Sequence, residues 1–233
     1  MSRSRPLYQL QQIDSEIDKS LKRIREINNL LADDTALQKM AQNEEDLRKK
    51  FEEQRHKLRA AEDQVEDQEF KIERNKKKLY GGAVTNPKEL EDLQMESESL
   101  QEYLHVLEDR QLEEMLAHEQ AQQAHQAAQE TLEDVQQDWE ENTRRWLKEK
   151  ASLEQRIDQL RAKRQAHIRN IPEEDLGLYE RLRQSSGGVA VAILENRSCQ
   201  ACGSQVPSGL AQQAGTPSLL AQCSTCGRIL HTR

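Results

Sequence analysis

Aromatic side chains are scarce: two Phe, two Trp and four Tyr make up 3% of a 233-residue chain. An ordinary globular domain of this length needs more large apolar groups to fill its core, so a single wide core is not expected. No apolar run approaches the roughly 20 residues of a membrane span. The start, Met1-Ser2-Arg3-Ser4-Arg5-Pro6, has no apolar stretch of the kind that directs secretion, so a cytoplasmic protein without a membrane partner is expected. Cysteine is absent until Cys199, and all four cysteines then fall in two close pairs. In a chain with no secretory signal that pattern favours metal over disulfides.

What is present is charge and helix-forming residues. Charged residues make up 33% of the chain, mean hydropathy is -0.98, and Ala, Glu, Lys, Leu, Arg and Gln dominate. Such a composition means long helices or disorder, and periodicity decides for helix. From Leu90 to Leu160 one alternating three-four phase runs through 21 slots, 13 of them apolar, including Leu93, Leu100, Leu107, Ala128, Trp139, Trp146 and Leu153. A stripe of this kind is a coiled-coil seam. In the first half, Phe51, Leu58, Val65, Ile72 and Leu79 repeat at sevens, with Gln54, Gln68 and Asn75 in companion slots. Upstream, Leu10, Ile13, Ile17, Leu21, Ile24, Ile27 and Leu31 form a richer stripe, which Asp33-Asp34-Thr35 interrupts with a kink or phase shift.

Between the halves stands a stop and a start. Lys76-Lys77-Lys78 suits the negative end of a helix dipole, and Gly81-Gly82 offers a left-handed cap. Asn86-Pro87-Lys88-Glu89 reads as N-cap, N1 and capping box. Two helices, roughly 7–79 and 87–168, are therefore predicted to pair antiparallel, with partner numbers summing to about 167. The fold class is an all-α antiparallel coiled-coil hairpin (1–170, turn about 80–87) plus a small C-terminal β zinc ribbon (189–233). A short helix and a hinge-like Ser185-Ser186-Gly187-Gly188 linker (171–188) stand between them.

Cys199-Gln200-Ala201-Cys202-Gly203 and Cys223-Ser224-Thr225-Cys226-Gly227 are two knuckles in a C-x2-C-x20-C-x2-C frame. Two intervening residues let a tight turn aim both thiolates at one ion, and two such turns supply the tetrahedral sulfur shell of structural Zn²⁺. The expected cofactor is thus one structural Zn²⁺ on Cys199, Cys202, Cys223 and Cys226; the spacing alone does not separate zinc from iron. About 45 residues with no Phe, Tyr or Trp need such a metal to hold together. His118 and His125, seven apart, are too distant along one helix to share an ion and read as seam fillers. No nucleophile elbow, phosphate-binding loop or HExxH motif occurs, so neither an enzyme nor a small-molecule substrate is expected.

Charge is unevenly spread. Residues 89–142 hold 17 acidic side chains against Arg110 alone, whereas 144–169 hold nine Lys/Arg against three acids. The basic segment reads equally as a phosphate-contacting surface centred on Arg161, Lys163, Arg164 and Arg169, or as inter-helix pairing partners for Asp14, Glu16 and Asp18.

The turn Leu79-Tyr80-Gly81-Gly82-Ala83-Val84-Thr85-Asn86-Pro87-Lys88-Glu89-Leu90, the segment Tyr179-Glu180-Arg181-Leu182, the run from Gly187 to Ile193 and the two knuckles ending in Gly227-Arg228-Ile229-Leu230 together resemble a family of bacterial coiled-coil proteins with a four-cysteine zinc ribbon. The resemblance implies a hairpin with the ribbon at its open end. It also implies association with transcription factors and transcripts, notably around an alternative sigma factor and flagellar expression. Where that pattern often ends in an aromatic residue, His231 stands here. The functional expectation is a non-enzymatic adaptor that binds protein and RNA or DNA; the alternative is a coiled-coil scaffold that binds protein only.

Overall fold

The computed structural model describes residues 2–232. Helices α1 (Ser4–Ala32), α2 (Thr35–Tyr80), α3 (Pro87–Ile168) and α4 (Glu173–Ser185) precede a small module. That module comprises β1 (Val191–Glu195), β2 (Ser198–Cys199), α5 (Ser208–Gly215) and β3 (Ile229–His231). The chain is a long coiled-coil hairpin with a small C-terminal strand region, as its periodicity predicts. It divides into two compact units, Asp34–Glu141 and the residues up to Asp33 together with those from Asn142 onward.

In the Asp34–Glu141 unit, α2 and the first part of α3 pair around the turn. Lys77 and Lys78 lie in the last turn of α2, Gly82 takes φ +73°, and Asn86 Oδ1 accepts from Lys88 N at 3.1 Å. Asn86 thus caps α3 through its second helical amide, one residue earlier than a capping box requires. Ala61, Gln68, Ile72, Asn75, Leu107 and Ala128 are buried in the seam. Gln68 Nε2 donates to the Leu100 carbonyl at 2.9 Å, and Phe51 lies against both His118 and His125, 5.2 and 5.6 Å between ring centroids. His125 also bonds Glu44 at 2.9 Å, so both histidines do fill the seam. The partners Asn75–Glu96, Gln68–Leu100 and Glu44–His125 stay close to the expected register.

In the other unit α1 packs on the last part of α3. Arg23 forms a forked pair with Glu149 (2.7 and 3.0 Å), and Arg156 reaches Glu16 at 2.8 Å. Further along, the Asp14–Arg164 pair departs from the register counted from the turn by more than one helical turn. The slots also move. Ile157 is 3% exposed, whereas Arg156, the residue expected in the seam, faces solvent. Burying Ile157, and Leu160 against Ile13 and Ile17, outweighs the regular repeat, and the new phase turns Arg164 inward.

The linker expected as a hinge is pinned. Gln11, itself 5% exposed, accepts from Ala190 N (2.6 Å) and Val191 N (3.3 Å) and donates to the Gly188 carbonyl (2.9 Å). Arg228 donates to the carbonyls of Val189 and Ser186, each at 2.9 Å. Leu7, Leu10 and Tyr179 from the helices, and Ile171 from the bend between α3 and α4, then form one core with Ala190, Val191 and Ile229. A segment with so few large apolar residues finishes its core with side chains lent by α1 and α4.

Candidate metal centre

The cysteine module is a three-stranded sheet in the order β2-β1-β3, β1 antiparallel to β2 and parallel to β3. The β1–β2 turn is Asn196-Arg197, both at positive φ (50° and 58°), the backbone twist of a tight hairpin. β2 delivers Cys199. The chain then folds back on itself: Gly203 N donates to the Cys199 carbonyl at 2.7 Å. Gly227 N does the same to Cys223 at 2.9 Å, and Gly203 and Gly227 take φ of +73° and +70°, which a side chain would strain. The x20 insert returns the chain through α5, a helix that no signal in the sequence marks, with Ala214 buried beside Val206, Ala221 and Leu230.

These turns bring the four sulfurs together. All Sγ atoms lie within 4.8 Å of one another, with Cys199–Cys226 and Cys202–Cys223 each 3.8 Å apart. A tetrahedron of sulfurs about 2.3 Å from a central ion has edges of about 3.8 Å, so the donor set fits one four-coordinate metal ion. Among the described residues this is the one cluster of three or more such donors, and His118 and His125 stay outside it. Burial pushes the Cys199 thiol up, while the Ser204 backbone pulls the exposed Cys202 down. An ion would therefore meet one thiol ready to ionise and one whose proton it must displace.

The four expected phosphate contacts divide. Arg161, Lys163 and Arg169 are exposed, Arg161 with Asp158 at 3.7 Å. Arg164 is engaged within the fold: its Nε donates to the buried Asp14 at 2.8 Å, and its Nη2 reaches Glu180 at 3.3 Å. Asp14 also accepts from Tyr179 Oη at 2.9 Å. Desolvation by burial, then the Asp14 charge, holds that phenol protonated well above its usual range. Arg183 closes the group on Asp18 at 2.5 Å. Sequence reasoning missed Gln11, Arg228 and the buried Asp175, which takes a forked pair from Arg3 (2.8 and 2.6 Å). Nothing local separates them from the many other Gln, Arg and Asp residues.

The hairpin helices, from Leu10 to Gly187, match the family described as the CT398-like coiled coil hairpin domain. The chain belongs to this family. The CT398 protein of Chlamydia trachomatis has the same fold, with a TM-score of 0.57 at 19% identity over 99% of this chain and 98% of that one. A Mycobacterium smegmatis protein superposes with a TM-score of 0.64 at 22% identity, covering 99% of this chain and 97% of its own. In sequence, the uncharacterized protein Rv2229c of Mycobacterium tuberculosis is 31% identical over 160 residues. That match takes in 68% of this chain but only 64%, under two thirds, of the relative's length. Family membership thus rests on the hairpin, and the cysteine module lies beyond the matched residues. No helix among the described residues is long and apolar enough to cross a membrane.

Proposed function

We propose that this protein is a non-enzymatic cytoplasmic adaptor whose cysteine module is a zinc ribbon, binding a protein partner and, through the exposed cations near the end of α3, RNA. Zn²⁺ is the ion whose preferred four-thiolate geometry suits the cluster, and four protein ligands leave no coordination position for a substrate. The metal then serves to hold the knuckles, and the module presents a surface.

The observation that carries the reading is the exposed cationic surface of Arg161, Lys163 and Arg169, with only the Arg161–Asp158 contact at 3.7 Å upon it among the described residues, in the same compact unit as a ribbon pinned by Gln11 and Arg228. A polyanion drawn there releases counterions from each neutralised phosphate, so its affinity falls steeply with salt. A role in transcription or transcript control follows from such an adaptor. The protein-only scaffold draws on a different observation, that Arg164, Arg156 and Arg23 are all spent on pairs within the fold. Changing Arg161, Lys163 and Arg169 to Gln, with Arg164 kept, decides between them. RNA titrations at two salt concentrations should show salt-sensitive binding by the parent protein and a loss of roughly tenfold or more in the triple variant. Equal affinities, or no binding by the parent at low salt, leave the protein-only scaffold.

A further inference from the structure

Close to the turn in the Asp34–Glu141 unit, α2 and α3 leave a notch of about 220 Å3. Lys71, Arg74 and Lys78 stand on its rim, three and four residues apart and so on one face of α2. All three are exposed, and none forms an ion pair among the described residues, whereas nearby Lys77 reaches Glu73 at 3.5 Å. Asn75 of α2 and Glu96 and Leu100 of α3 complete its lining.

Asn75 adds a polar group of the opposite kind to the cationic rim. It is 4% exposed, and its Nδ2 donates to Glu96 Oε2 at 2.8 Å. That bond fixes the amide, because the flipped form would set one oxygen against another. Asn75 Oδ1 is then left buried without a donor. A buried acceptor lacking a partner, under a rim of unpaired cations, asks for a ligand carrying negative charge and a hydrogen-bond donor together. A bare anion would meet the Glu96 carboxylate. A sugar hydroxyl turns both Asn75 Oδ1 and Glu96 into useful acceptors, as carboxylates do for ribose hydroxyls elsewhere.

We propose that this notch binds a ribose-phosphate group, with the phosphate on Lys71, Arg74 and Lys78 and a sugar hydroxyl donating to Asn75 Oδ1 and Glu96. The group has two sources, a free sugar phosphate or a ribonucleotide within an RNA strand. The site is separate from Arg161, Lys163 and Arg169 and stands or falls without them.

Titration of the metal-loaded full chain, followed through the Asn75 Nδ2 and Arg74 Nε nuclear magnetic resonance signals, tests this. Ribose 5-phosphate should give saturable shifts at both signals and bind about tenfold tighter than inorganic phosphate, which lacks the sugar hydroxyl. The Lys71→Gln/Arg74→Gln/Lys78→Gln variant should lose binding of both ligands. Asn75→Leu places an apolar residue in a seam slot and so keeps the hairpin helical, and it should bring ribose 5-phosphate down to the affinity of inorganic phosphate, read from the Arg74 signal. A short single-stranded RNA that moves the same signals at lower concentration assigns the strand as the source, and one that needs a higher concentration assigns the free sugar phosphate. Absence of saturable shifts, equal affinity for the two small ligands, or undiminished ribose 5-phosphate binding by Asn75→Leu overturns the proposal.

Discussion

His231 stands where an aromatic side chain would end the ribbon pattern, and it behaves as a flat ring with a polar edge. Its imidazole stacks on Tyr8 with centroids 4.7 Å apart, and its Nδ1 meets Ser4 Oγ at 2.9 Å. Burial, and then the charge of Arg5, lower its pKa from the ordinary 6.5. Above the ordinary value His231 is neutral in both folded and unfolded chains, and its packing is fully available. As pH falls below it, the unfolded chain takes up a proton that the folded ring refuses, so stability drops until the folded value is reached. Thermal unfolding between about pH 7 and about pH 5.5 should therefore show a slope that His231→Phe reduces, by up to about 1.4 kcal/mol per pH unit. Identical slopes for the two proteins would show that the ring does not contribute in this way.

Among the elements, the α2–α3 pairing is notable for the polar groups it buries. Gln68 finds the Leu100 carbonyl, but Gln54 Oε1 is buried with no partner. Gln54→Leu fills a companion slot of the seam with an apolar group and removes the unpaired oxygen, so it should stabilise the hairpin by about 1 kcal/mol. Thermal melting of the helices is the measurement, and a lowered midpoint would mean that the oxygen is satisfied in solution. The bounds of α3 were legible because Asn86-Pro87 and Pro172 punctuate a steady apolar repeat. Asp33-Asp34 likewise announces the break between α1 and α2. The four sulfurs could be read from their spacing, since knuckle geometry is local. The slip from Arg156 to Ile157 could not, because it depends on what α1 presents across the interface. Nor could α5 or the Gln11 clasp: the first is short and weakly patterned, and the second joins residues 179 positions apart.

For the whole molecule, the decisive property is that the cysteine module is completed from outside itself. Val191 and Ile229 pack with Leu7, Leu10 and Tyr179, and Arg3 N donates to the Pro217 carbonyl at 2.8 Å. Metal and borrowed core should thus hold the module jointly. A chelator under reducing conditions should unfold the module while most helical signal persists, since the α2–α3 seam needs no ion. Removing residues 2–11 should speed metal loss to a chromogenic chelator several-fold, because the module then loses Leu7, Leu10 and Gln11 together. An unchanged rate of metal loss would mean that the knuckles are self-sufficient. The same arrangement has a consequence during synthesis. Ser4 and His231 meet across 227 positions, so α1 is made long before the strands it packs against. At about 5–20 residues per second, Leu7 and Leu10 remain without their strand partners for roughly ten to forty-five seconds. For that interval the nascent chain carries an uncovered apolar stripe on α1, and the synthesis of β3 is the event that lets it be covered.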